Sequence, residues 1–91
     1  MYSILMTSQY KREYKKVKKR KLNIEKLDDV VTLLAANDEP LPAKYNDHKL
    51  SGEFAGYREC HIEGDWLLIY KKEKNDLILL LTRTGTHSDL F

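Results

Sequence analysis

The sequence predicts an α+β fold, with an N-terminal strand and a helical hairpin packed on a curved antiparallel sheet. Three observations predict it. Apolar residues recur at helical spacing in two consecutive segments between Gln9 and Ala36. Three strand-length segments with short connections fill the second half of the chain. An apolar segment from Ser3 to Met6 precedes both and supplies the first strand.

The first helix spans about Gln9 to Lys21, where Tyr10, Tyr14 and Val17 recur at spacings of four and three and define one face. Asn23 is a suitable N-cap for a second helix, and Glu25 suits the positive end of its dipole. Ile24, Leu27, Val30, Val31 and Leu34 form its apolar face, with Asp28 and Asp29 turned outward. Pro40 cannot continue this helix, and Asn37 is expected to end it in a left-handed cap. The tight joint at Leu22-Asn23 makes the two helices a hairpin.

Leu41 to His48 reads as an extended loop with turn residues at Asn46-Asp47. Strands are predicted for Gly56 to Ile62, Trp66 to Lys72 and Asp76 to Thr84. Glu63-Gly64-Asp65 and Glu73-Lys74-Asn75 link them, and such short connections demand antiparallel neighbours. Leu77 to Leu81 is apolar at every position, which predicts the central and most buried strand.

At 91 residues the chain forms one domain, residues 1–91. A core of that size buries on the order of 65% of the unfolded chain's surface. Hydrophobic residues are 42% and charged residues 33%, an ordinary globular balance that excludes disorder. No apolar run approaches the roughly 20 residues of a membrane span, and the N-terminal residues lack the pattern of a secretory signal. A single cysteine, Cys60, excludes an internal disulfide and reads as a small buried hydrophobe. A cytoplasmic protein is expected.

The net charge of +2 hides an asymmetry. Up to Leu22 eight Lys/Arg face one acid, Glu13, so this segment is +7 and the remainder −5. Lys15, Lys16, Lys18 and Lys19 lie off the apolar face of the first helix. They are either a solvated surface or a contact face for a polyanion or an acidic protein.

Chemistry-bearing residues gather in the sheet half: His48, the group His61, Asp65 and Trp66, then Arg83, His87 and Phe91. Histidine serves as acid or base near neutrality, and arginine grips phosphate oxygens with a permanent charge. Aromatic rings offer stacking surfaces to unpaired bases. The set suits phosphodiester cleavage by an RNA's own 2′-hydroxyl. Each residue also has a plainer reading: a structural histidine, a core tryptophan, an arginine paired with an acid. Zinc is disfavoured, because there is no HxxxH on a helix and no cysteine pair, and no cofactor is called for.

Four stretches carry a resemblance: Leu41–Gly52 (LPAKYNDHKLSG), Gly56–His61 (GYRECH), Asp65–Tyr70 (DWLLIY) and Arg83–Phe91 (RTGTHSDLF). In order and register they resemble the YafQ-type toxins of the RelE/ParE superfamily, found in type II toxin–antitoxin systems. The first forty residues match only in layout. The resemblance implies the RelE-like microbial ribonuclease fold and a ribosome-dependent endoribonuclease, or mRNA interferase. It implies as partners the 70S ribosome with its mRNA and a cognate antitoxin, with operator DNA bound only through that antitoxin. The asymmetry of charge makes an acidic antitoxin the expectation, in a heterotetramer or larger complex.

Carried over by position, His87 would protonate the leaving oxygen, while His48 and Asp65 would be the general base or its support. His61 and Arg83 would bind the reacting phosphate, and Trp66 and Phe91 would shape the site and hold substrate. Lys15, Lys16 and Lys19 would contact RNA. Departures from the family pattern are Lys49 for a proline, Phe54 for a tryptophan and Ala55 for a basic residue. The main alternative is a ParE-like inhibitor of DNA gyrase with the same fold and no nuclease activity. A second is a basic RNA-binding module that uses only the first helix.

Overall fold

The computed structural model describes all 91 residues, Met1–Phe91. Strand β1 (Ser3–Met6) leads into helix α1 (Ser8–Lys19), and helix α2 (Ile24–Ala36) follows directly. Short strand β2 (His48–Lys49) precedes the meander β3 (Arg58–Glu63), β4 (Trp66–Glu73) and β5 (Ile78–Thr86). A terminal turn of helix, α3 (His87–Leu90), ends the chain. No helix is long and apolar enough to cross a membrane.

The caps explain where the helices begin and end. Thr7 Oγ1 accepts from the Tyr10 amide at 2.9 Å and donates to the Thr82 carbonyl at 2.7 Å, so one hydroxyl both starts α1 and ties it to β5. At its far end, Leu22 N–H reaches the Val17 carbonyl and Lys21 N–H the Lys18 carbonyl, with Lys21 left-handed at φ 62°. This closure puts the strain normally taken by glycine on a lysine and produces the sharp hairpin joint. Asn23 caps α2 through the Glu25 amide at 3.1 Å, as expected. Asn37 departs from expectation: it is extended (φ −165°), and its side chain accepts from the Glu39 amide at 2.8 Å. The helix therefore ends in an Asx turn and not in a left-handed cap.

The sheet order is β1-β5-β4-β3-β2. Strands β2 to β5 pair antiparallel, whereas β1 joins β5 in parallel, so the sheet is mixed. Register shifts at Ile69/Tyr70 and His61/Glu63 mark the bulges that curve it. The most buried strand is β4: Trp66 to Tyr70 are all buried, flanked by β5 and β3. The run Leu77–Leu81 does not hold that place. Leu77 sits in the preceding turn at φ 53° and is 50% exposed, and the outer neighbour of β5 is the exposed edge strand β1. The segment Leu41 to His48 is also more ordered than an extended loop, with a helical turn at Ala43–Tyr45 before β2.

Alternation along β4 divides the apolar residues between two layers. Trp66, Leu68 and Tyr70 join Tyr10, Val17, Leu27 and Val30 in a core between sheet and helices. Cys60 is fully buried there, and burial raises its thiol pKa. Leu67 and Ile69 face the opposite way, into a small cluster with Leu90 that Leu50, Phe54 and Tyr57 flank.

Candidate active site

Residues opposed in an antiparallel pair lie on the same side of a sheet. His61 opposes Leu67, Glu59 opposes Ile69, and His48 opposes Glu59. All three polar residues therefore share the face that the helices leave uncovered. On the other flank, Leu67 opposes Gly85 and Trp66 opposes Thr86, so Asp65 and His87 come one step beyond the last pair. Leu90 packs on Leu67 and Ile69, which seats α3 and its His87 on this same side.

The His48 and His61 rings are 6.4 Å apart between centroids. His48 sits on a pinned loop. Asp47 beside it accepts from Tyr70 Oη at 2.8 Å and Arg58 Nε at 3.2 Å, and left-handed Asn46 presents its carbonyl to His48 Nδ1 at 2.7 Å. His48 Nε2 is 3.1 Å from a carboxylate oxygen of Glu59, a residue only 4% exposed. His61 Nδ1 lies 3.2 Å from the Gly64 carbonyl. Asp65 is exposed in the turn that follows.

His87 stands at the start of α3, where Thr86 and Asp89 form a capping box. Arg20, at the end of α1, clamps Asp89 with two hydrogen bonds of 2.7 and 3.2 Å. The Arg20 guanidinium and the Thr86 amide hold the Asp89 carboxyl far below the usual carboxylate range. An aromatic run continues from His87 to Phe91 (5.3 Å), Phe54 (5.8 Å) and Tyr57 (6.1 Å). Phe91 is 60% exposed, an open ring beside His87.

Two expected site residues are placed differently. Trp66 is 2% exposed on the helix side, where its Nε1 donates to Thr84 Oγ1 at 2.9 Å. It offers no stacking surface, because alternation turns it away from its neighbours Asp65 and Leu67. The Arg83 guanidinium donates through Nε and Nη2 to Glu13 of α1, at 2.6 Å for the shortest contact, so its charge is balanced at rest. Glu13, the one acid of the basic segment, also accepts from the Thr84 amide. Of the two readings of Arg83, the structure shows the pairing with an acid, with Nη1 outside it.

Lys15, Lys16 and Lys19 are all exposed on α1. Lys16 lines a groove of about 210 Å³ with Arg12, Arg20 and Arg83, which runs from the basic helix toward Asp89. A larger cavity of about 890 Å³ lies by the 38–50 loop and includes none of the histidines. No group of three His, Cys, Asp or Glu side chains is placed to hold a metal ion. Glu59 is the residue that sequence reasoning missed. Its only signal was its position two residues before His61 on an alternating strand.

The family described as the YafQ bacterial toxin of type II toxin–antitoxin systems matches residues 2–91. The mRNA interferase toxin YafQ of Escherichia coli K12 is 47% identical over 85 residues, covering 93% of this chain and 90% of its own. The crystal structure of YafQ from E. coli BL21(DE3) superposes with a TM-score of 0.92 at 42% identity, covering 100% of this chain and 99% of that one. YafQ in the E. coli DinJ–YafQ complex gives 0.90 at 43% identity, with the same coverage. A metal-bound toxin from Helicobacter pylori gives 0.92 at 37% identity over the whole of both chains. With a full-length family match and close relatives in both sequence and structure, this chain belongs to the YafQ family of type II toxin–antitoxin toxins.

Proposed function

We propose that this chain is a ribosome-dependent endoribonuclease toxin that cuts mRNA by metal-independent acid–base chemistry. The observation that carries the reading is the shared sheet face of His48, His61 and Leu67, with Asp65 and His87 next in register. The names of the E. coli relatives, mRNA interferases, support the substrate class.

In the proposed reaction a base, His48 or Asp65, takes the proton of the ribose 2′-hydroxyl. The 2′ oxygen attacks the adjacent phosphorus, and the bond from phosphorus to the 5′ oxygen breaks. His87 gives its proton to that leaving oxygen, so the products are a 2′,3′-cyclic phosphate and a 5′-hydroxyl. His61 and the free Nη1 of Arg83 meet the charge that builds on the phosphoryl oxygens. Phe91 supplies the stacking surface for a base. The exposed lysines of α1 hold the ribosomal RNA backbone.

A cognate acidic antitoxin is the proposed inhibitor, in a heterotetramer or larger assembly that reaches operator DNA only through the antitoxin. The DinJ–YafQ complexes of the relative support a partner of this kind.

The test is incubation with translating ribosomes followed by mapping of mRNA ends. Cuts within the decoding site, bearing cyclic phosphate and unaffected by EDTA at fixed magnesium, are the expected result. Gyrase-dependent DNA breaks with intact transcripts would instead establish the ParE-like alternative. Loss of cleavage on chelation, with ribosomes intact, would overturn the metal-independent step.

A further inference from the structure

Glu59 is the unexplained charge of the open face. It is 4% exposed, and its Oε1 is the single buried side-chain polar atom in the protein without a hydrogen-bond partner. A carboxylate in such a position is costly, and an apolar side chain opposite Ile69 would cost less. Its one polar contact is Oε2 to His48 Nε2 at 3.1 Å.

The hydrogen bonds restrict where protons reside. His48 Nδ1 faces the Asn46 carbonyl, which can only accept, so Nδ1 donates. His48 Nε2 and the Glu59 oxygen 3.1 Å from it attract each other only when the ring carries its second proton, since a bare Nε2 lone pair would face another acceptor. Neither ring nitrogen of His48 is then free to take one from substrate. His61 differs, since its Nδ1 faces the Gly64 carbonyl and its Nε2 has no such partner.

No other acid competes for this position. The Asp47 carboxylate is occupied by Tyr70 and Arg58. Lys71, on the same face, lies over the Tyr57 ring and pairs with Glu73. The neighbouring charge-bearing groups are the His61 ring, 6.4 Å away, and Lys49 next in sequence.

We infer that Glu59 is the positioning residue of His48: it fixes the ring and keeps a proton on the Nε2 side. His48 then meets the scissile phosphate as a hydrogen-bond donor, and of the two candidate bases it is Asp65 that takes the 2′ proton. The inference rests on the nuclease reading for its effect on rate but not for the protonation pattern itself.

The experiment uses the full chain with the isosteric substitution Glu59→Gln, and Glu59→Asp as the conservative partner. In the native protein, nitrogen-15 NMR should show a protonated-type Nε2 resonance of His48 that shifts to the unprotonated position in Glu59→Gln. On ribosomes the turnover rate of Glu59→Gln should fall roughly 10–100-fold, less than the ~10⁴-fold loss when a triad histidine that acts as the base loses its orienting carboxylate. Ribosome affinity should stay constant, and Glu59→Asp should recover part of the rate. A Glu59→Gln protein that cleaves at the native rate, or a native His48 without that resonance, overturns the inference. If native protein cuts no mRNA, the nuclease reading falls while the NMR result still decides the role of Glu59. If Glu59→Gln does not fold, the native resonance and the Glu59→Asp turnover rate decide it.

Discussion

The two faces of one sheet follow different rules. On the helix side, Trp66, Leu68 and Tyr70 of β4 meet two helices and are sealed from water. On the other side, Leu67 and Ile69 of the same strand have only α3 and flanking loop residues over them, and the polar groups His48, Glu59 and His61 stand beside them. The helix face supplies stability, since burial of apolar area on that scale dominates folding free energy. The open face carries titratable groups that a dry layer would neutralise or reject. The proposed site's Glu59 and His61 are held on β3, whose alternate residues Cys60 and Ile62 lie in the core, which is how so small a protein positions several polar groups at once.

Substitutions on the two sides should separate these roles. The largest effect is expected for His87→Ala, with cleavage falling roughly 10²–10⁴-fold, the range for losing an acid–base group. Because His87 is exposed, the denaturation midpoint should hardly move. Leu68→Ala, at a position with 0% exposure, should do the reverse and cost about 2–5 kcal/mol in chemical denaturation. A folded Leu68→Ala protein should keep its rate per molecule, and a specific loss of rate would show that the faces are coupled.

Replacing Lys15, Lys16 and Lys19 by glutamine should weaken ribosome association and reduce the slope of log K against log salt. The reduction expected is about 0.7–0.9 for each phosphate that a lysine no longer neutralises. Binding titrations at several salt concentrations would check this, and an unchanged slope would make the lysines a solvated surface. The smallest effect concerns the tie between α1 and α3. The Asp89 carboxyl is depressed by Arg20, so its contribution to stability is present above the unfolded carboxylate pKa of about 3.9. It disappears as pH falls through the lower folded value. Because the pair is largely exposed, Asp89→Asn should cost under about 1 kcal/mol at neutral pH. Melting curves of the two proteins should converge in strong acid.

The faces of α1 and α2 were legible in the sequence, because the 3.6-residue period shows directly which side chains share a stripe. Tyr10, Val17, Leu27 and Val30 are buried as that period requires. The histidines were singled out as candidates by their residue types and the family resemblance, and the structure brings His48 and His61 within 6.4 Å between ring centroids. Trp66 was carried over as a site residue and Glu59 was passed over, and the structure reverses the two. An aromatic ring beside Asp65 suggests stacking and a glutamate suggests a solvated surface, yet strand parity buries the first in the core and the second in the site. A single-residue change of parity exchanges the two faces, and nothing local reveals which face the helices cover. The same holds for Arg83, whose partner Glu13 lies 70 residues away.

The amino-acid order alone determined the α+β class, the extents of both long helices to within a turn, and the groups available for chemistry. These are encoded by short-range periodicity and side-chain type, which need no knowledge of neighbours. Only the tertiary structure decided that β4 and not β5 is the buried centre, that β1 runs parallel, and that a buried carboxylate stands against His48. Strand order and register arise from contacts between distant segments, and those contacts are fixed only when the whole chain closes on one core.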